Sequence, residues 1–226
     1  MKVLHGSCLC GAVRFEVTGP LTLMLHCHCS RCRKEHGAPF AIFAVAAADD
    51  LQFTSGEDAV VAGAAPPGSP RHFCGYCGSP APSSQPAMGL AFIPVGLLED
   101  DPGMRPQGHL FVDSKASWHT ITDTLPQYPR YPPEFGDAPS LPDREPVTAP
   151  PGHAAGSCLC GAVTYEFSQP MAMFQCHCSR CRRARGAAHG ANIFCKVENF
   201  RWNSGEELVA DYKLPEAKFY SVAFCR

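Results

Sequence analysis

GSCLCGAV occupies residues 6–13, and the same eight residues return at 156–163. CHCSRCR occupies residues 27–33 and returns at 176–182. The stretches Gly37–Glu57 and Gly186–Glu206 align without a gap, both ending in Ser-Gly-Glu, and Phe73-Cys74 matches Phe224-Cys225. An offset that stays near 150 residues over so many positions marks a tandem duplication. The copies are unequal. Copy one continues past Cys74 to Cys77 and some 60 residues more, whereas copy two has only Arg226 after Cys225. Copy two is therefore expected to be an incomplete version of copy one.

Working outward, Pro126, Pro129, Pro132, Pro133, Pro139, Pro142, Pro146, Pro150 and Pro151 fall between the copies. A chain so rich in proline is extended and semi-rigid. The expected organisation is a complete zinc domain at 1–136, a Pro-rich linker at 137–152 and a partial second domain at 153–226. The elements read as mainly β. Gly11 to Val17 alternates apolar and polar in its second half, as a half-buried strand does, and Gly161 to Phe167 repeats it. Phe40 to Val45 fits a buried strand or a short helix, and Leu110-Phe111-Val112 resembles another strand. No long helical pattern is visible.

The 226 residues are 45% hydrophobic and 18% charged, enough apolar material for packed cores. A net charge of −2 with no basic block gives no support to nucleic-acid binding. The N-terminus has no apolar signal region, and Ala38 to Ala48 is too short for a membrane helix. A cytoplasmic protein with neither nucleic-acid nor membrane partners is the expectation. In a reducing compartment fourteen clustered cysteines point to metal rather than disulfides.

Cys8 and Cys10 form C-x-C, and Cys74 and Cys77 form C-x-x-C among glycines. Two such pairs make a tetrathiolate zinc site, and a closed four-sulfur shell leaves no room for substrate, so this site is structural. Cys27, Cys29 and Cys32 offer three thiolates and an open fourth position, the mark of a catalytic zinc. If His26 or His28 closes that shell, the site is structural instead. Three thiolates on a dication leave a net charge of about −1, which disfavours hydroxide generation and suits a substrate thiol. Arg31, Arg33 and Lys34 stand beside the site as candidates to offset that charge. In copy two, Cys158, Cys160 and Cys225 leave the structural site one ligand short, while Cys176, Cys178 and Cys181 keep the other whole. One or two zinc ions are expected there, against two in copy one. Cys195 and His189 align with Ala46 and Phe40; they read as a small buried residue and a polar variant. Trp118 and His119 have no chemistry assigned.

GSCLCGAV, CHCSRCR, FCGYCGSP and HLFVDSKASWHTITDTLPQYPRYPP together resemble the glutathione-dependent formaldehyde-activating enzyme (Gfa) family, which includes centromere protein V. The resemblance covers residues 6 to about 136 in full and 156–226 in part. It implies a mainly β fold of the β-tent (Mss4-like) type. It implies a structural zinc on Cys8, Cys10, Cys74 and Cys77 and a catalytic zinc on Cys27, Cys29 and Cys32. It implies joining of formaldehyde to glutathione as S-hydroxymethylglutathione, a carbon–sulfur lyase activity in reverse. The alternative is a non-catalytic zinc module for partner binding or redox sensing.

Overall fold

A computed structural model describes residues 2–63, 71–136, 140–143 and 145–226. Copy one runs β1 (Leu4–Ser7), β2 (Arg14–Val17), β3 (Leu23–Cys27), α1 (Ser30–His36), β4 (Ala41–Ala47), β5 (Leu51–Ser55), β6 (Val60–Gly63), β7 (Arg71–Cys74), β8 (Ser83–Gln85), β9 (Leu90–Pro94) and β10 (His109–Leu110). Copy two runs β11 (His153–Ser157), β12 (Thr164–Ser168), β13 (Ala172–Cys176), α2 (Ser179–Arg185), β14 (Gly190–Phe194), β15 (Phe200–Ser204), β16 (Val209–Lys213) and β17 (Ser221–Cys225). The mainly β expectation holds.

The repeat in sequence is a repeat in topology. The sheet β1-β2-β5 reappears as β11-β12-β15, the hairpin β6-β7 as β16-β17, and β3-β4 as β13-β14. Phe15 and Val17 of β2 point inward and are almost fully buried, as the alternation requires. They meet Met24, Ile42, Ile93 and Leu97 in the main core. Phe40–Val45 resolves as a strand: β4 lies between β3 and β9, and Ala41, Ala44 and Ala46 are sealed. A strand covered on both faces carries no alternation, which is why periodicity left it undecided.

Two expectations change. The strand foreseen from Gly11 begins at Arg14, because Gly11 turns the chain with φ +75° and Cys8 N–H donates to Val13 O. Of Leu110-Phe111-Val112 only Leu110 lies in a strand. β10 pairs parallel to β3 for only His109 and Leu110, then Phe111 enters the left-handed region at φ 57° and a 3-10 turn covers Val112–Ser114. Two seven-residue helices also occur, each opened by a cysteine whose sulfur accepts the N–H three residues on and closed by a left-handed glycine.

The hairpins β3-β4 and β13-β14 differ in their surroundings. β10, β9 and β8 extend the first into a five-stranded sheet, while the second stands as a pair. Met24 is 1% exposed and its counterpart Met173 is 41% exposed, a direct consequence of the missing cover.

Copy two packs against copy one partly through equivalent residues. Phe40 meets His189 edge-on at 5.7 Å, and Phe73 meets Phe224 at 6.1 Å. Ala191 N–H donates to Gly37 O and Gly96 N–H donates to Gly186 O. His36 Nδ1 lies 2.6 Å from Arg185 O. Matching patches that touch each other are the signature of an isologous, two-fold-like contact. Gly96 is fitted to it, for a Cβ there would lie 2.3 Å from the backbone N and O of Ala187. Gly96→Ala is expected to lower stability by about 1–3 kcal/mol through overpacking. A urea midpoint equal to that of the unaltered chain would refute it.

Of the foreseen linker, residues 137–139 and 144 lie outside the described residues. Residues 140–143 are tied to copy one: Asp143 Oδ1 accepts from Ser30 N–H at 3.0 Å, and Pro142 O accepts from Arg31 Nε. The carboxylate thus accepts from the first backbone N–H of α1.

Candidate metal centres

The cysteines foreseen as ligands gather into four clusters among the described residues, in each of which the sulfurs lie within 4.8 Å of one another. Cys8, Cys10, Cys74 and Cys77 form the first. Cys8 and Cys10 hang from the turn between β1 and β2; Cys74 ends β7, and Cys77 follows in the next turn. Cys8, Cys74 and Cys77 are all but sealed from solvent. Val13 N–H reaches Cys8 Sγ at 3.3 Å, and the buried Ser79 hydroxyl lies 3.3 Å from Cys77 Sγ while accepting from Leu9 N–H. Four crowded sulfurs cannot ionise together unaided: hydrogen bonds from Cys10, Cys74 and Cys8 hold Cys77 well below the usual thiol range, while Cys10, Cys77 and Cys8 push Cys74 well above it. A soft dication relieves that conflict, so the donor set fits zinc.

Cys27 ends β3, Cys29 caps α1 and Cys32 lies in its first turn, which brings three sulfurs together without long-range help. Cys27 and Cys32 hold Cys29 down at about 3, whereas Cys29 pushes Cys27 up to about 12. Arg71, a cation that the sequence did not foresee, lies at these sulfurs. Arg33 Nε donates to His28 O, Arg31 to Pro142 O, and Lys34 Nζ to Ser157 of copy two. Arg71 takes their place, with Nη2 3.8 Å from Cys32 Sγ and Nη1 2.8 Å from Glu35 Oε2. Burial opposes its charge, but Glu35, Cys32 and Cys29 outweigh burial and keep it protonated. Only strand pairing carries Arg71 from 39 residues away, so local spacing gave no signal of it. Tyr131, half-buried, is raised by burial and by the same three sulfurs.

Copy two reproduces the sulfur geometry without the complete setting. Cys158 and Cys160 are 3.3 Å apart and Cys160 and Cys225 3.8 Å, against 3.4 and 3.8 Å for Cys8–Cys10 and Cys10–Cys74. Cys176, Cys178 and Cys181 group as Cys27, Cys29 and Cys32 do, but Cys178 is exposed. The place of Arg71 is taken by Val222, and the Tyr220 hydroxyl lies 3.7 Å from Cys181 Sγ instead. Cys195 is half-buried rather than buried and joins none of these clusters among the described residues.

The family model described as glutathione-dependent formaldehyde-activating enzyme matches residues 3–114 and 153–226. The chain belongs to this GFA family. Both repeats are matched, so the duplication is of the GFA unit itself, and its fold is the Mss4-like β fold. A Halomonas elongata protein named "Putative glutathione-dependent formaldehyde-activating enzyme" is 36% identical over 128 residues, covering 53% of this chain and 81% of the relative. A solved Rhodobacter sphaeroides structure is 26% identical with a TM-score of 0.34, over 45% of this chain and 91% of that one. Among the described residues no helix is long and apolar enough to cross a membrane.

The two histidines weighed as a fourth ligand look elsewhere. Strand alternation turns His26 away from Cys27. His26 and His28 pack on Phe40 and His109, and burial pushes them down to about 4 and about 3, leaving neutral imidazoles. His119 stacks on His28 at 5.8 Å, giving a place to a residue that the sequence left unassigned.

Proposed function

We propose that copy one is a zinc-dependent carbon–sulfur lyase-type enzyme acting on small thiol adducts, with glutathione and formaldehyde as the first candidates. The observation that carries this is the three-sulfur cluster beside Arg71, set apart from the closed four-sulfur cluster. In this reading Cys8, Cys10, Cys74 and Cys77 hold a structural zinc and Cys27, Cys29 and Cys32 a second one. The second ion supplies a positive centre that favours the thiolate form of the substrate. In the synthetic direction one C–S bond forms, the C=O π bond opens, and the thiol proton ends on the former carbonyl oxygen. Arg71, fixed by Glu35, offsets the excess negative charge of the three sulfurs. Its own contact with Cys32 also fixes that sulfur's position.

Copy two, from residue 153, would act mainly as packing for copy one, holding one or two zinc ions more loosely. The complete unit would span 1–136, with 137–152 as the linker. A cytoplasmic location accords with thiols kept reduced. A zinc count and a glutathione-plus-formaldehyde turnover assay on one sample test the assignment. Two firmly held zincs in copy one with adduct formation support it; full zinc with no adduct removes the enzymatic part. Arg71→Met is expected to lower kcat/KM at least ~10-fold while the melting curve holds, as loss of a group orienting a metal ligand does. Unchanged kinetics would strip Arg71 of this role.

A further inference from the structure

His26, His109 and Asp123 bring one ligand atom each to within 4.8 Å of the others, on the face of β3 turned away from Cys27. They come from three separate places in the chain: the end of β3, the start of β10 and the loop that follows. His109 Nε2 lies 3.1 and 3.2 Å from the two carboxylate oxygens of Asp123. Two ligands sharing a metal at ordinary M–N and M–O lengths stand about 3–3.5 Å apart, so this pair already has the spacing of neighbouring ligands. His26 is 91% buried, since its exposure is 9%, and its Nδ1 has no hydrogen-bond partner. A buried imidazole nitrogen without a hydrogen-bond partner is available to an occupant.

The remaining nitrogen of His109 is also accounted for. Its Nδ1 is 2.9 Å from His28 Nε2, so the ring is held from behind as metal-bound imidazoles are. If a cation takes the Nε2 lone pair, the His109 proton moves to Nδ1 and is accepted by His28 Nε2. The His28 proton then moves to its own Nδ1, which is buried and unpartnered. The pair of rings accommodates the ion by changing tautomer, with no net gain or loss of protons. Asp123, 46% exposed, provides the approach from solvent, while His109 at 2% and Phe40 close the interior side.

We propose that His26, His109 and Asp123 form a metal site for a divalent first-row transition ion, separate from the cysteine clusters. Two neutral imidazoles and one carboxylate leave such an ion with a net charge of about +1 and open positions, the reverse of a three-thiolate site. The two faces of β3 thus serve two classes of ligand: a soft one for sulfur, and a harder one for oxygen donors such as a carboxylate or a hydrated aldehyde.

The test uses the full chain loaded with zinc, dialysed, and titrated with cobalt(II). Expected, beyond any cobalt that replaces loosely held zinc at the cysteines and shows a thiolate-to-cobalt charge-transfer band, is one saturable cobalt per chain with ligand-field absorption alone. Asp123→Asn, at a partly exposed position, should keep the fold and weaken that uptake at least ~10-fold. His26→Gln should weaken it likewise. Absence of cobalt uptake, uptake with a thiolate band only, or uptake unaltered by Asp123→Asn would each overturn the site.

Discussion

Cys8→Ala is expected to abolish folding of copy one at ordinary temperature. The four-sulfur cluster ties the β1–β2 turn to the end of β7, 64 residues apart from Cys10 to Cys74, and its sulfurs are part of a buried cluster with Leu9 and Val13. Structural zinc binding contributes on the order of 10 kcal/mol in small zinc domains, comparable to the whole stability of a domain. Removing one ligand discards much of it and leaves a cavity besides. The loss should spread, because the same cluster packs on Ala184, Leu214 and Val222 of copy two. Circular dichroism melts and zinc content check this together. A Cys8→Ala chain that melts where the unaltered chain does, with its zinc retained, would show that the cluster is not a folding site.

Cys29→Ser should do the opposite, sparing the fold and removing the chemistry. Serine is a good N-cap, so the contact now made by the Cys29 sulfur to Cys32 N–H at 3.4 Å is replaced rather than lost. The cluster is drawn from one local stretch, and its contact with the distant strand β7 runs from Arg71 to the Cys32 sulfur. The loss of a thiolate should cost at least ~100-fold in turnover of glutathione and formaldehyde, by analogy with the effect of even outer contacts on metal sites. The melting midpoint should move by no more than the equivalent of about 1 kcal/mol. Equal turnover would remove Cys29 from the reaction; a collapsed melt would make its cluster structural.

What the sequence disclosed, and what it did not, follows from where each contact is made. The clusters built on Cys27, Cys29 and Cys32 and on Cys176, Cys178 and Cys181 are local, and spacing alone assembles them. The pairing of Cys8 and Cys10 with Cys74 and Cys77 is distant, yet the repeat and the chemistry of thiolates marked it. Arg71 carried no such mark: it looks like a surface cation until β7 pairs with β6 and brings it to Cys32. His26 and His28 were visible, but beside cysteines they read as spare ligands. Their partners His109 and Asp123 sit more than 80 residues further along and are brought near by one parallel pairing, which periodicity cannot foresee. His189 looked like a polar variant of Phe40; the fold sets the two against each other. Trp118 stays about half exposed and meets the ring of His119 edge-on.

The two-fold-like contact between the repeats bears on how this molecule responds to dilution. Two free GFA units touching through these patches would separate as their concentration fell. Joined in one chain, each meets the other at an effective concentration in the millimolar range, whatever the amount of protein in solution. Selection on the contact is then relaxed from affinity to mere fit. A unit held so permanently can differ around its own sulfurs, as Val222 at the position of Arg71 illustrates, and still keep its neighbour's walls in place.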